Sequence, residues 1–307
     1  MITTPTTFVI GAGASQPHGL PLGYELFKAA RGLAPRSNLY QLLRESGIDI
    51  SMLNEMCADM NDHPAPSIDA YLLTRQTRPG WVEAGRAMIA VLMADASKRE
   101  KTPAADEDWL GKVYGEMSTG AATWKDFASG NASVRFVTFN FDSIVESRLQ
   151  REIGRSFRDE PLADVEDFIK RAVVHVHGTL PPFPSVPIEA NVVHDLEPRW
   201  IKWAKTASTT INIIHDECDG FILASAQEAI RQADILCFLG FAYHVDNTKR
   251  LDLQQTIRST TEVFGSAYKI ADGDRPRVTA RVGGRISLGD PGHNSRQLLE
   301  QFHIFRD

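Results

Sequence analysis

The sequence predicts an α/β protein: a doubly wound parallel sheet with helices around it, interrupted by a helical insertion. Three observations carry this expectation. Short apolar runs at residues 7–10, Val134–Thr138 and Ile235–Leu239 each lead into a glycine or a polar turn, as buried parallel strands do at their carboxyl ends. Helical patterns follow these runs, and strands alternating with helices imply a parallel sheet. Between the first two strands, residues 35–131 read as helix throughout, far longer than a one-helix crossover.

Taken in order, the first strand is followed by a helix at 21–33. The long block then gives helices at 39–46, 52–60, 67–75, 81–98 and 109–127. It is expected to form a cap or assembly domain at 35–131, with 1–34 and 132–307 forming the Rossmann-like sheet domain. Trp81, Trp109 and Trp124 in the block suit its own core. After the second strand come a helix at 142–152 and a valine-rich third strand at 172–177. The proline-dense stretch at 180–187 reads as an extended surface loop near His177, and the segment around Trp200 and Trp203 is ambiguous. A helix at Gly220–Gln232 precedes the strongest strand, Ile235–Leu239. The tail from Arg275 shows Gly283-Gly284 and Asp290-Pro291-Gly292 turns and a last helix at 297–302, with its strands unassigned.

The chain has 307 residues, 33 basic and 39 acidic, for a net charge of −6, so no global positive field draws a nucleic-acid backbone and no direct nucleic-acid binding is expected. Three separated cysteines, Cys57, Cys218 and Cys237, form neither a disulfide framework nor a zinc ribbon, which suits a reducing cytoplasm. No apolar run approaches the ~20 residues that span a bilayer, and the first residues lack a basic leader pattern, so neither membrane insertion nor secretion is expected.

Gly11-Ala12-Gly13-Ala14-Ser15 follows the first strand. Its backbone N–H groups, at the positive end of a helix, suit a diphosphate, and glycine permits an approach that a Cβ would block. Gly11, Ala12, Gly13 and Ser15 are therefore candidate nucleotide contacts, a plain tight turn being the alternative. The third glycine of the dehydrogenase spacing is missing, Pro17 and His18 standing there instead, which disfavours hydride transfer.

Thr138-Phe139-Asn140-Phe141-Asp142 sets Asn140 and Asp142 beyond a strand's carboxyl end, the edge where open α/β sheets bind ligands. His175-Val176-His177-Gly178 ends another strand. Together with the glycine turn these point to NAD. Cleavage of its N-glycosidic bond passes through an oxocarbenium-like state, and nicotinamide departs neutral, so no general acid is needed. Asn140 can orient a water or a ribose hydroxyl, Asp142 can hold the carboxamide or stabilise positive charge, and His177 can serve as general base. Asp142 as a mere helix cap is the alternative. His175 shares the face of His177, but no third and fourth ligand stands at a familiar spacing, so no metal is expected and a satisfied core role suits His175 better. Gly240-Phe241-Ala242-Tyr243-His244-Val245-Asp246-Asn247 offers Gly240 and Asp246 as a second nucleotide contact; a helix N-cap at Asp246 and plain packing at Tyr243 are the alternatives. His18, His194, His215 and Lys249 carry no spacing argument.

This order of motifs resembles the sirtuin superfamily, and within it the prokaryotic sirtuin-like NAD hydrolases of antiphage defence. The resemblance covers the sheet domain, with Ser67-Ile68-Asp69-Ala70-Tyr71-Leu72 as a further weak similarity in the insertion. It implies that Gly11, Gly13 and Ser15 bind NAD as substrate and that Asn140 and His177 are essential for breaking the nicotinamide–ribose bond. It also implies a toxic, NAD-depleting effector held silent until infection, acting as a homo-oligomer or under a separate partner such as an ATPase or a nucleic-acid-guided protein. The paired zinc cysteines of deacetylase sirtuins are absent, which argues against peptide deacetylation. Gly19-Leu20-Pro21-Leu22-Gly23-Tyr24 stands where deacetylases carry Gly-Ile-Pro-x-Phe-Arg, and Phe139 replaces their usual Gln. Two other readings remain open: a module that binds NAD or an ADP-ribose derivative without cleaving it, and an ADP-ribosyltransferase.

Overall fold

A computed structural model of the chain describes residues 1–184, 198–213 and 219–305. His194, His215, Cys218 and the end of the 180–187 stretch lie outside these residues. The chain divides into two compact units, Met1–Pro17 with Thr102–Val176 and Cys218–Asp307, and His18–Lys101 with His177–Glu217.

The first unit is built on a six-stranded parallel sheet. Its strands are β1 (Thr6–Ile10), β2 (Val134–Thr138), β3 (Val173–His175), β4 (Ile235–Leu239), β5 (Glu262–Gly265) and β6 (Ile286–Leu288), in the order β3-β2-β1-β4-β5-β6. β1 and β4 are buried at every residue, which explains why they read as continuous apolar runs rather than alternating ones. One face packs Val9, Val137, Phe238, Leu236 and Val263 with Ala226 and Ile230 of the helix Gly220–Gln232. On β1, Phe8 stacks on Phe136 of β2 at 5.4 Å. Each such side chain removed from water stabilises the unit by roughly 1.5–3 kcal/mol. Ile10 lies level with Thr138 and Leu239, so Gly11, Phe139 and Gly240 leave the sheet together.

Several expected elements differ. The third strand is shorter than 172–177 because Ala172 closes a helix, Leu162–Ala172, which is not among the expected elements. The expected helix at 109–127 is two, Trp109–Ser118 and Trp124–Gly130. Gly120 takes φ +76 between them, and a Thr123–Asp126 capping box restarts the chain. Both helices belong to the sheet unit, as their buried Trp109, Val113 and Phe127 indicate. In the tail, β5, the helix Arg275–Arg281, β6 and the helix Ser295–Gln301 complete the sheet's other edge.

The second unit is helical. Its centre is Trp81–Ser97, buried on nearly all sides through Ala84, Met88, Ile89, Val91 and Leu92, as a helix apolar all round must be. Gly23–Arg31, Asn38–Glu45, Ile68–Leu73 and Pro198–Thr210 pack on it. The ambiguous segment is thus a helix, with Trp200 and Trp203 edge-to-face at 5.4 Å. Ser37, Asp49 and Ser67 cap the helices that follow them by accepting backbone N–H bonds. Asp59 ties Ile50–Asp62 to the next helix by accepting from Tyr71 Oη at 2.7 Å and Arg75 Nε at 2.5 Å.

Candidate nucleotide site at the strand switch point

β1 and β4 are neighbours from which the strand order runs outward in opposite directions, the point at which sheets of this order bind ligands beyond their carboxyl ends. Two glycine loops meet there. Gly11 N–H donates to Leu239 O and Gly13 N–H to Gly240 O, both at 3.0 Å, and Ala14 N–H returns to Gly11 O at 2.9 Å. A Cβ on Gly11 would lie 2.6 Å from Gly240 O, and one on Gly13 2.9 Å from Gly240 Cα. Gly240 takes φ +56, and a Cβ there would overlap Ala14 N. The glycines are therefore required by the approach of one loop to the other. The amides of Gly11 and Gly13, expected to face a diphosphate, are engaged in that approach and that of Ala14 is engaged within its own loop, whereas Ala12 N–H makes no hydrogen bond among the described residues. The chain turns through Ala12–Ser15 and a 3₁₀ turn at Gln16–His18, well before the expected helix start at residue 21.

Asn140 and Asp142 join this junction. Asn140 is buried; its Nδ2 donates to Gly11 O at 3.2 Å and to Ser15 Oγ at 2.9 Å, and its N–H donates to Thr138 Oγ1 at 3.1 Å. Ser15 also stands beside the Asp142 carboxyl and favours its ionised form. Asp142 Oδ1 also accepts from Ile144 N–H at 3.2 Å, so it supports the start of the helix Ile144–Ser156 although Ser143 is the N-cap residue. Burial pushes the Asp142 carboxyl above the usual range, against the bonds from Ile144 and Ser15 and the charge of His175, and with repulsion from Glu146.

His175, at the end of β3, places Nδ1 3.1 Å from Asn140 O and Nε2 2.5 Å from Glu146 Oε1. Desolvation draws its pKa down, but the bond and charge of Glu146, with Asn140 O and Asp142, outweigh it and the pKa is raised. Glu146 escapes a motif search because it sits inside the following helix. Its signal is the four-residue step from Asp142, one helical turn.

Beyond Gly240, the Ser266 hydroxyl accepts Gly240 N–H at 2.9 Å. Tyr243, fully buried at φ +52, bonds Ser266 O through Oη at 3.1 Å, a packing role. Asp246 is not the N-cap of Val245–Arg250; that residue is His244, whose Nδ1 lies 3.4 Å from Asp246 Oδ2. His177 belongs to the helical unit, where it is buried and its carbonyl accepts Asn212 N–H at 2.8 Å. Gly178 beside it takes φ +76 and bridges Ile211. Gly11, Gly13, Ser15, Asn140, Asp142 and Gly240 are thus brought together through direct contacts. Among the described residues, no group of three or more acidic, histidine or cysteine side chains is arranged to hold a metal.

No family model matches the chain, and no curated protein is similar to it. Among solved structures it is similar to a Sir2 homolog–NAD complex at 14% identity and a TM-score of 0.37, over 97% of this chain and 88% of that one.

Proposed function

We propose that this chain binds NAD at the β1–β4 switch point and hydrolyses its nicotinamide–ribose bond, releasing nicotinamide and ADP-ribose. The observation that carries this reading is the pair of hydrogen bonds from Asn140 to Gly11 O and Ser15, with Asp142 beside Ser15, set next to two abutting glycine loops at the end of a 3-2-1-4-5-6 sheet. Ala12 N–H is the loop amide offered to the diphosphate, and Gly240 and Asp246 stand on the β4 side for the remaining nucleotide. Asn140 directs its carboxamide oxygen at the attacking water or ribose hydroxyl. Asp142 stabilises the positive charge that grows on the ribose as the C–N bond breaks. His177, assigned from its place just after β3, takes the proton of the water that attacks the anomeric carbon while nicotinamide leaves with the bonding pair. Transfer of ADP-ribose to another acceptor would use the same residues.

One observation favours a second reading, NAD binding without turnover: both hydrogens of Asn140 Nδ2 already hold Gly11 and Ser15, as in a structural asparagine. Incubation of the purified protein with NAD, followed by chromatography for nicotinamide, ADP-ribose and cyclic ADP-ribose, separates the two. Nicotinamide release that is lost in Asn140→Ala and His177→Ala supports hydrolysis; NAD binding by calorimetry without release supports the module.

The motif resemblance supports an NAD-depleting role in antiphage defence, exerted in the cytoplasm by a homo-oligomer or with an ATPase or nucleic-acid-guided partner. Loss of cellular NAD on infection, absent with Asn140→Ala, is the expected outcome. NAD levels that hold steady through infection would overturn it.

A further inference from the structure

The Glu146–His175 contact has no part in the chemistry above, yet it ends on the backbone of the residue at its centre. Asn140 O is a carbonyl and can only accept, so His175 Nδ1 must carry a hydrogen toward it across 3.1 Å. On the ring's other side Nε2 meets Glu146 Oε1 at 2.5 Å, the spacing of a charge-assisted bond. A ring that meets an acceptor at each nitrogen is held with both protonated. The second carboxylate oxygen, Glu146 Oε2, is buried and has no hydrogen-bond partner, so among the described residues the carboxylate's polar contact is His175.

The groups that face this imidazole are few. Asn140 O and Asp142 approach from the β2 loop and Glu146 from the helix after it. Helices Leu162–Ala172 and Gly220–Gln232 also pack on β3, but their charged residues, Asp164, Glu166, Asp167, Lys170, Arg171, Glu228 and Arg231, are all solvent-exposed. The charge state of His175 is thus set within the 140–146 segment.

We propose that Glu146 and His175 are positioning residues of the nucleotide site: the carboxylate fixes the imidazolium, and the imidazolium fixes the Asn140 carbonyl and with it the 140–142 turn. The pair reaches the ligand only through Asn140 and Asp142, and its consequence for NAD rests on the function proposed above. The protonation state itself can be tested without any ligand.

The test uses the full chain, with imidazole nitrogen and Asn140 amide resonances followed by NMR from pH 5.5 to 8.5, beside NAD affinity by calorimetry. In the wild type, His175 is expected to hold both ring protons at pH 7.5, with NAD affinity flat between pH 6 and 8. In Glu146→Ala the imidazole should lose its second proton at a lower pH than in the wild type, the Asn140 resonances should move with it, and NAD affinity should fall ~10-fold as pH rises. Glu146→Gln, which can still orient the ring, should recover most of the affinity. A neutral wild-type His175 at pH 7.5 overturns the proposal, a result that needs no variant. Asn140 resonances indifferent to the imidazole titration in Glu146→Ala, or an NAD profile in that variant matching the wild type, overturn it equally. If the wild type shows the ring and Asn140 behaviour but binds no NAD, the positioning pair stands and the nucleotide reading falls.

Discussion

Gly13 donates its backbone N–H to the carbonyl of Gly240 at 3.0 Å, and this bond joins the loop after β1 to the loop after β4. The glycine motif of the sequence is therefore half of a contact whose other half lies more than two hundred residues away. Gly240→Ala should be costly, because the left-handed backbone costs an alanine about 1–2 kcal/mol and its Cβ would overlap the Ala14 amide, which cannot rotate aside. A loss above about 3 kcal/mol in urea unfolding is expected. Gly284→Ala is the control: φ is +82 there, but the space is open, so only about 1 kcal/mol should be lost. Equal losses would mean that the loops do not pack as described.

Asn140→Ala should cost stability as well as turnover. The substitution leaves Gly11 O and Ser15 Oγ without their donor, worth about 1–3 kcal/mol. Melting curves would check this, and an unchanged midpoint would mean that the Asn140 side chain does not hold Gly11 and Ser15.

Stability should also carry the signature of His175. Its folded pKa is raised above an unfolded value near ~6.5, so its contribution is complete below ~6.5 and is lost as pH climbs through the folded value. Asp142, also raised, acts in the same direction over a lower window beginning near ~3.9. The difference in melting temperature between wild type and His175→Asn is expected to shrink as pH rises beyond neutrality. A difference that is constant with pH would show that folding leaves the His175 pKa unshifted, and one that grows with pH would show that the ring is neutral in the folded protein.

In the helical unit the sign reverses. Burial alone would raise the Asp59 carboxyl, but the bonds from Tyr71 and Arg75 outweigh it and hold the carboxyl below its usual range. Its contribution is present above ~3.9 and lost as pH falls through the folded value. Asp59→Ala should cost about 2 kcal/mol at pH 7 and progressively less in acid. Equal costs at pH 7 and pH 3 would assign the loss to packing instead.

How legible the fold was depended on burial. β1, β2 and β4 are buried along almost their whole length and stood out as apolar runs, while β5 and β6 are short strands on the sheet's outer side and left only glycine turns as a trace. The helix Leu162–Ala172 does carry the right spacing in Val165, Phe168, Ile169 and Ala172, but it runs without a turn into the valines of β3, so no break in the sequence separates helix from strand. At the site, Gly11, Gly13, Asn140 and Asp142 were readable because each lies just past a strand. Glu146 was not, because an acidic residue in a helix's first turn ordinarily faces water. Nor does any local pattern announce that the two glycine loops face each other; that follows from strand order, which single-sequence spacing does not encode.

The strand order also governs how the protein is made. Thr6 pairs with Val134 on one side and Ile235 on the other, so the strand synthesised first is the one whose neighbours arrive latest. At about 5–20 residues per second, β1 waits on the order of ten seconds or more after emerging from the ribosome before β4 exists. An apolar strand left with one edge unpaired for that long is a natural client for a chaperone that shields nascent chains, and the yield of soluble protein should track the supply of that chaperone more closely than the stability of the finished sheet.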